Sequence, residues 1–181
     1  MKKEMLLTLV RKVVKVDRGG PESRIGMLLA VEEDFVTLLT EDDGIVYYKT
    51  HHIKSLTDNS KSEMQFNLEI PEDFEYKKAT NFQSCLGELE WHWVKINRGG
   101  PETLEGVLQP VDIKEDFVTI IANEEVIRLS MFHIRNVSYG VKVETTKAAE
   151  KANADESEKE SVEKNTEKGN EQKKQKDAKG K

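Results

Sequence analysis

The five residues Arg18-Gly19-Gly20-Pro21-Glu22 return letter for letter, eighty positions later, as Arg98-Gly99-Gly100-Pro101-Glu102. Such a duplication constrains the fold more than composition does, because it sets the repeating unit before any single element is assigned. The likeness runs well past the pentapeptide. VVKVDRGGPESRIGMLLAVEEDFVTLL (Val13–Leu39) aligns with WVKINRGGPETLEGVLQPVDIKEDFVTII (Trp93–Ile121), with Gly26 on Gly106 and Leu28 on Leu108. A two-residue insertion in the second copy then brings EDFVT at Glu33–Thr37 onto EDFVT at Glu115–Thr119. Further on, HHIKSLT (His51–Thr57) matches FHIRNVS (Phe132–Ser138), and upstream Met5, Leu6 and Leu9 fall on Cys85, Leu86 and Leu89. The period is too long and the copies too few for a solenoid. The expectation is two small domains, 1–57 and 79–140, a linker over 58–78, and a tail over 141–181.

Each copy reads as one short helix followed by short strands. Phe82, Cys85, Leu86 and Leu89 have the i, i+3, i+4, i+7 spacing of one apolar helical face, with Thr80 or Asn81 as its cap. In the first copy the β-branched and aromatic runs are Val13–Val16, Gly26–Val31, Phe35–Thr40, Ile45–Tyr48 and a last piece at Ile53–Leu56. Gly19-Gly20-Pro21, Glu32–Asp34 and Asp42-Asp43-Gly44 separate them, and the Asp-Gly pair is a hairpin signal. The fold class is therefore mainly β, as two tandem small Sm-like or SH3-like barrels, each with a short N-terminal helix. Fifty-odd residues bury little surface, which favours packing of the two units on each other.

The repeated pentapeptide has two readings. As a turn, Gly-Gly gives access to positive φ and Pro then fixes φ near −65°. As a contact surface, Arg18, Gly19, Gly20, Pro21 and Glu22 with Arg98, Gly99, Gly100, Pro101 and Glu102 form two partner-contact loops of the same polar character. Phosphate cradling fits poorly, because a strand follows each loop instead of a helix N-terminus or a Lys-Ser/Thr pair. Phe35 and Phe117 of the EDFVT segments read as strand core, with Asp34 and Asp116 in the turns. Trp91 and Trp93 read as core or as the seam between units.

Charge narrows the partners. The chain holds 28 Lys and Arg against 34 Asp and Glu, and the tail from Val141 takes eleven Lys and ten acids of these. That leaves 17 basic and 24 acidic residues in 1–140, a net charge of −7. A body of this sign lacks the general attraction for a nucleic-acid backbone. No apolar run approaches the ~20 residues that cross a bilayer. The segment MKKEMLLTLVRKVV is broken by Arg11 and Lys12 and lacks a small-residue cleavage site, so it reads as mature structure and not as a signal peptide. Cys85 is the lone cysteine, which rules out an intrachain disulfide.

Catalytic signatures are missing. Of the histidines, His51, His52, His92 and His133, only His52 and His133 are equivalent across the copies, and they read as structural hydrogen-bonders. No metal-ligand spacing, nucleophile elbow or P-loop is present. The expectation is no enzyme, no cofactor and no metal; an enzyme would need a pocket lined by His52 or His133. The tail is a charged segment with too little apolar surface to fold, and reads as disordered.

The segments WVKINRGGPETLEG (Trp93–Gly106) and FHIRNV (Phe132–Val137), with the weaker VVKVDRGGPESRIG (Val13–Gly26), resemble the spore coat protein B family of endospore-forming bacilli. The resemblance covers 1–140. It implies a structural component of the coat, made in the mother-cell cytoplasm and laid down around the forespore. Its partners would then be other spore coat proteins, with self-association among the contacts. The tail departs from the family's Ser-, Lys- and Arg-rich extension, since Ala148–Lys181 offers only Ser157, Ser161 and Thr166 as hydroxyls. The competing expectation is an Sm-like RNA-binding protein, which the acidic body and the lack of interleaved basic and aromatic residues count against.

Overall fold

A computed structural model of the chain describes residues 1–59, 61, 64–68, 70, 74–112 and 115–140. The first copy supplies α1 (Lys3–Leu7), β1 (Val13–Val16), β2 (Arg24–Val31), β3 (Phe35–Thr40), β4 (Gly44–Lys49) and β5 (Leu56–Thr57). The second supplies α2 (Phe82–Glu88), β6 (Trp93–Ile96), β7 (Leu104–Leu108), β8 (Phe117–Ala122), β9 (Glu125–Ser130) and β10 (Asn136–Tyr139). The ten strands are antiparallel and form one sheet in the order β5-β1-β2-β3-β4-β10-β6-β7-β8-β9.

The expected mainly β fold is present, but this order corrects the expectation of two tandem Sm-like or SH3-like barrels. Each copy contributes a run of five strands in which its last strand pairs with its first, but the sheet does not close. The runs are instead joined by β4 and β10, with Val137 opposite Tyr47 and Ser138 opposite Val46. Strands β5 and β9 are left at the two ends of the sheet.

Local chemistry explains most elements. The Asn81 side chain caps α2 by accepting from Ser84 N at 2.8 Å, and Phe82, Cys85, Leu86 and Leu89 are all buried. In α1, which has no side-chain cap, Leu6 is buried while Met5 is exposed, and Leu9, in the turn that follows, is buried as well. Gly26 and Gly106 sit where a strand crosses its neighbour too closely for a side chain: a Cβ at either would collide with the carbonyl of Leu39 or of Ile121. The last strand of the first copy begins later than expected. Thr50–His52 forms a 3-10 turn, Ile53 is buried in the core, and pairing starts at Leu56.

Two cores follow from the alternation of the strands. Leu6, Val14, Leu28, Val36, Leu38 and Val46 belong to the core of the first copy. Phe35, Leu39, Ile45 and Tyr47, on the opposite face of the same β3–β4 hairpin, join the core built by the second copy with Phe82, Leu86, Val94, Ile120 and Val137. Leu68 is buried in that second core, and Phe66, Phe74 and Tyr76 pack against it. Trp91 and Trp93 are 65% and 55% exposed, so the reading of them as core or seam is corrected: Trp93 faces outward from β6. The disorder expected of 141–181 lies outside the described residues.

Candidate functional site: the seam between the two copies

Each pentapeptide loop is held by the residue just before it. Asp17 and Asn97 both take positive φ, 54° and 53°. Asp17 Oδ1 accepts from the backbone N–H of Lys54 at 2.9 Å and of Ser55 at 3.3 Å. Asn97 Oδ1 accepts from Arg135 N at 2.8 Å, and its Nδ2 donates to the His133 carbonyl at 3.0 Å. The hydroxyl after the loop closes it, Ser23 donating to the Asp17 carbonyl at 2.6 Å and Thr103 to the Asn97 carbonyl at 3.1 Å. In each copy, then, the loop and the downstream His-Ile segment are two ends of one hydrogen-bonded unit.

The loops also meet each other. A Cβ on Gly99, which has φ of +92°, would collide with the Pro21 carbonyl, and one on Gly100 would strike the Arg135 guanidinium. Arg98 Nε donates to Asp43 Oδ1 at 2.6 Å, while Arg24 Nε donates to Asp43 Oδ2 at 2.7 Å. Asp43, in the β3–β4 turn, is thereby shared by the two copies with its side chain 1% exposed. Glu22 pairs with Arg135 and, at 3.5 Å, with Lys54. Beside these ion pairs, Lys49 N donates to the Arg135 carbonyl at 3.0 Å, and Lys49 Nζ donates to the Met131 carbonyl. Identical letters take different conformations, since positive φ falls on the second glycine of the first loop, Gly20, but on the first glycine of the second, Gly99. Arg18, Gly19, Gly20 and Pro21 are exposed, as are Pro101 and Glu102, whereas Glu22, Arg98, Gly99 and Gly100 are half-buried.

Electrostatics at the seam follow from burial and pairing. Burial pushes the Glu22 carboxyl upward, but the hydrogen bond and charge of Arg135, with Lys54, outweigh it and hold the group below the ordinary carboxylate value. Burial pulls Lys49 down, opposed by Asp34. His52 is also lowered, chiefly by burial, while its Nε2 donates to the Phe132 carbonyl at 2.9 Å. The Cys85 thiol, inside the core, is pushed up to about 12 by burial, with Asp34 and Glu88 adding to it.

A surface cleft of about 560 Å³ opens along the seam, lined in part by Glu22, Glu102, His52, His133 and Arg135. Both equivalent histidines line it, which meets the geometric condition set for an enzyme. The chemistry does not go further among the described residues: no Ser, Thr, Cys or Lys of these lines the cleft, Glu22 is tied to Arg135, and His52 to a backbone carbonyl. No group of three or more His, Cys, Asp or Glu among the described residues could hold a metal ion. No helix among them is long and apolar enough to cross a membrane.

A curated protein of Bacillus subtilis strain 168, "Spore coat protein B", is 40% identical to the chain over 134 residues, 74% of the chain. The chain is a relative of spore coat protein B. It spans 34% of the length of that protein. No family model matches it, and no solved structure does.

In this spore coat protein B relative, the most consequential seam residues are ones that motif reading passes over. Asp43 reads only as turn chemistry, and its acceptor role depends on Arg98, fifty-five positions away. Arg135 lies within the aligned FHIRNV segment, yet nothing local indicates Glu22 as its partner, 113 positions earlier. Asp17 and Asn97 were visible as an acid-or-amide residue before each pentapeptide, a type that tolerates positive φ.

Proposed function

We propose that the chain is a non-enzymatic structural component of the bacterial spore coat, assembling through protein-protein contacts of its duplicated modules. The observation that carries this reading is the 40% identity, over 74% of the chain, to a protein named for the spore coat. In keeping with it, the polar groups of the seam are spent on joining the two copies and not on a reactive constellation. The modules are small, bent, Sm-like or SH3-like units of residues 1–57 and 79–140 joined by 58–78, with a charged tail over 141–181. The contact candidates remain the ten pentapeptide residues, and Arg18 with Glu102 presents the most exposed charge among them. Partners are other coat proteins, and the protein is made in the mother-cell cytoplasm and laid down around the forespore.

Microscopy of a fluorescent fusion, expressed from its own promoter through sporulation in the native host, tests this reading. A shell around the forespore that survives spore purification is expected. Diffuse signal in vegetative cells would overturn it, and salt-sensitive RNA binding by the purified chain would then point to an Sm-like RNA binder.

A further inference from the structure

The joint between the two copies is heterologous: it uses the β4 side of the first and the β10 side of the second. Both of its surfaces recur at the ends of the sheet. Strand β9 is the counterpart of β4, and β5 is the counterpart of β10, and each is an end strand. We propose that the chain assembles head to tail with other copies of itself, β9 of one chain pairing with β5 of the next in the manner of β4 with β10. This deepens the coat reading by naming the contact, but it stands on the geometry of the joint and is tested on purified protein.

The register transfers residue by residue. Tyr47 opposite Val137 becomes Arg128 opposite Leu56 of the neighbouring chain, and Val46 opposite Ser138 becomes Ile127 opposite its Thr57. Met131 N donates to the Asp116 carbonyl, as Thr50 N does to the Asp34 carbonyl. By alternation, the N–H groups of Val126, Arg128 and Ser130 point to the open edge, where those of Ile45, Tyr47 and Lys49 meet the second copy. An unpaired edge of this kind is a template for strand addition.

Charge and apolar surface carry over as well. Arg98 on Asp43 becomes Arg18 of the neighbouring chain on Glu124, and Glu22 on Arg135 becomes Glu102 on its Lys54. Arg18, Glu102 and Glu124 are exposed, and none of them makes an ion pair among the described residues. The outer face of β3–β4 is covered in part by α2, with Phe82 against Phe35 and Cys85 buried. The matching face of β8–β9 leaves Ile121 and Val126 exposed, and the matching helix α1 leaves Met5, the counterpart of Cys85, 43% exposed. Lys2 replaces Phe82 and Arg128 replaces Tyr47 in this second joint, so it is weaker than the internal one and forms as concentration rises.

Light scattering on the eluting full chain, over a concentration series, tests the proposal. Its average mass should rise with concentration above the 20.7 kDa of one chain. Arg128→Pro removes an edge N–H without costing a β8 bond, and Met5→Glu charges the opposite end; each should give monomers. Mixed, the two variants should form a one-to-one dimer that grows no further, because each retains one complementary end. Arg18→Glu or Glu124→Arg alone should weaken assembly several-fold, and the two together should restore it. Wild-type chain that stays monomeric up to a few hundred micromolar would overturn the proposal. So would oligomers that ignore these substitutions, or blocked variants that fail to pair.

Discussion

The hairpins β3–β4 and β8–β9 open on the same letters and keep equivalent registers, with Phe35 opposite Lys49 and Phe117 opposite Ser130. Every residue of β3 and β4 is buried, whereas β9 has no buried residue and β8 buries only Val118, Ile120 and Ala122. The difference lies in what stands behind the hairpin. The first has its own core on one face and the second copy on the other, while the second has a core on one face only. A strand's burial is thus set by its neighbours, and side-chain identity follows: Tyr47 and Ile45 stand where Arg128 and Val126 do.

The largest test of this contrast is at the shared phenylalanine. Phe35→Ala should destabilise the chain by about 3–5 kcal/mol, as a fully buried ring does. Phe117→Ala, at a half-buried site, should cost less than half as much in the same urea titration. Next comes the hairpin turn. Asp43→Asn removes the carboxylate that Arg24 and Arg98 share, leaving Arg98 only its pair with Glu105, and should cost about 2 kcal/mol, while Glu124→Gln at the matching turn should stay within about 0.5 kcal/mol in dilute protein. At the glycines, Gly99→Ala forces a side chain onto the Pro21 carbonyl at positive φ and should lower stability by about 1–2 kcal/mol. Gly19→Ala, with open space around it, should be close to neutral in the same assay.

The smallest effect is one of pH. Glu22 is held below its ordinary carboxyl value in the fold, so its contribution is complete above the unfolded value of 4.5 and is lost as pH falls through the lowered one. Glu22→Gln should therefore flatten part of the acid limb of a stability-against-pH curve.

Much of the frame was legible in the residues. The spacing of Phe82, Cys85, Leu86 and Leu89 located α2, and the runs Val13–Val16 and Phe35–Thr40 gave β1 and β3 with their bounds. Packing of the two copies on each other follows from their small size, but the β4–β10 strand pairing that joins them was not read, although Ile45-Val46-Tyr47-Tyr48 carries its signal: four apolar residues in a row mark a strand covered on both faces, where EVIRLS of β9 alternates more nearly. The seam pairs could not be read, because Arg98 with Asp43 and Glu22 with Arg135 join residues with no fixed sequence spacing. Trp93 misled for a related reason. Its alternation places it on the outer face, which no element among the described residues covers.

Amide hydrogen exchange on the dilute chain tests most directly the claim that one hairpin is a joint and its counterpart a free edge. The N–H groups of Ile45, Tyr47 and Lys49 should exchange orders of magnitude more slowly than those of Val126, Arg128 and Ser130. Equal protection of the two sets, or fast exchange at Tyr47, would contradict the account, because β4 and β10 would then not be holding the two copies together.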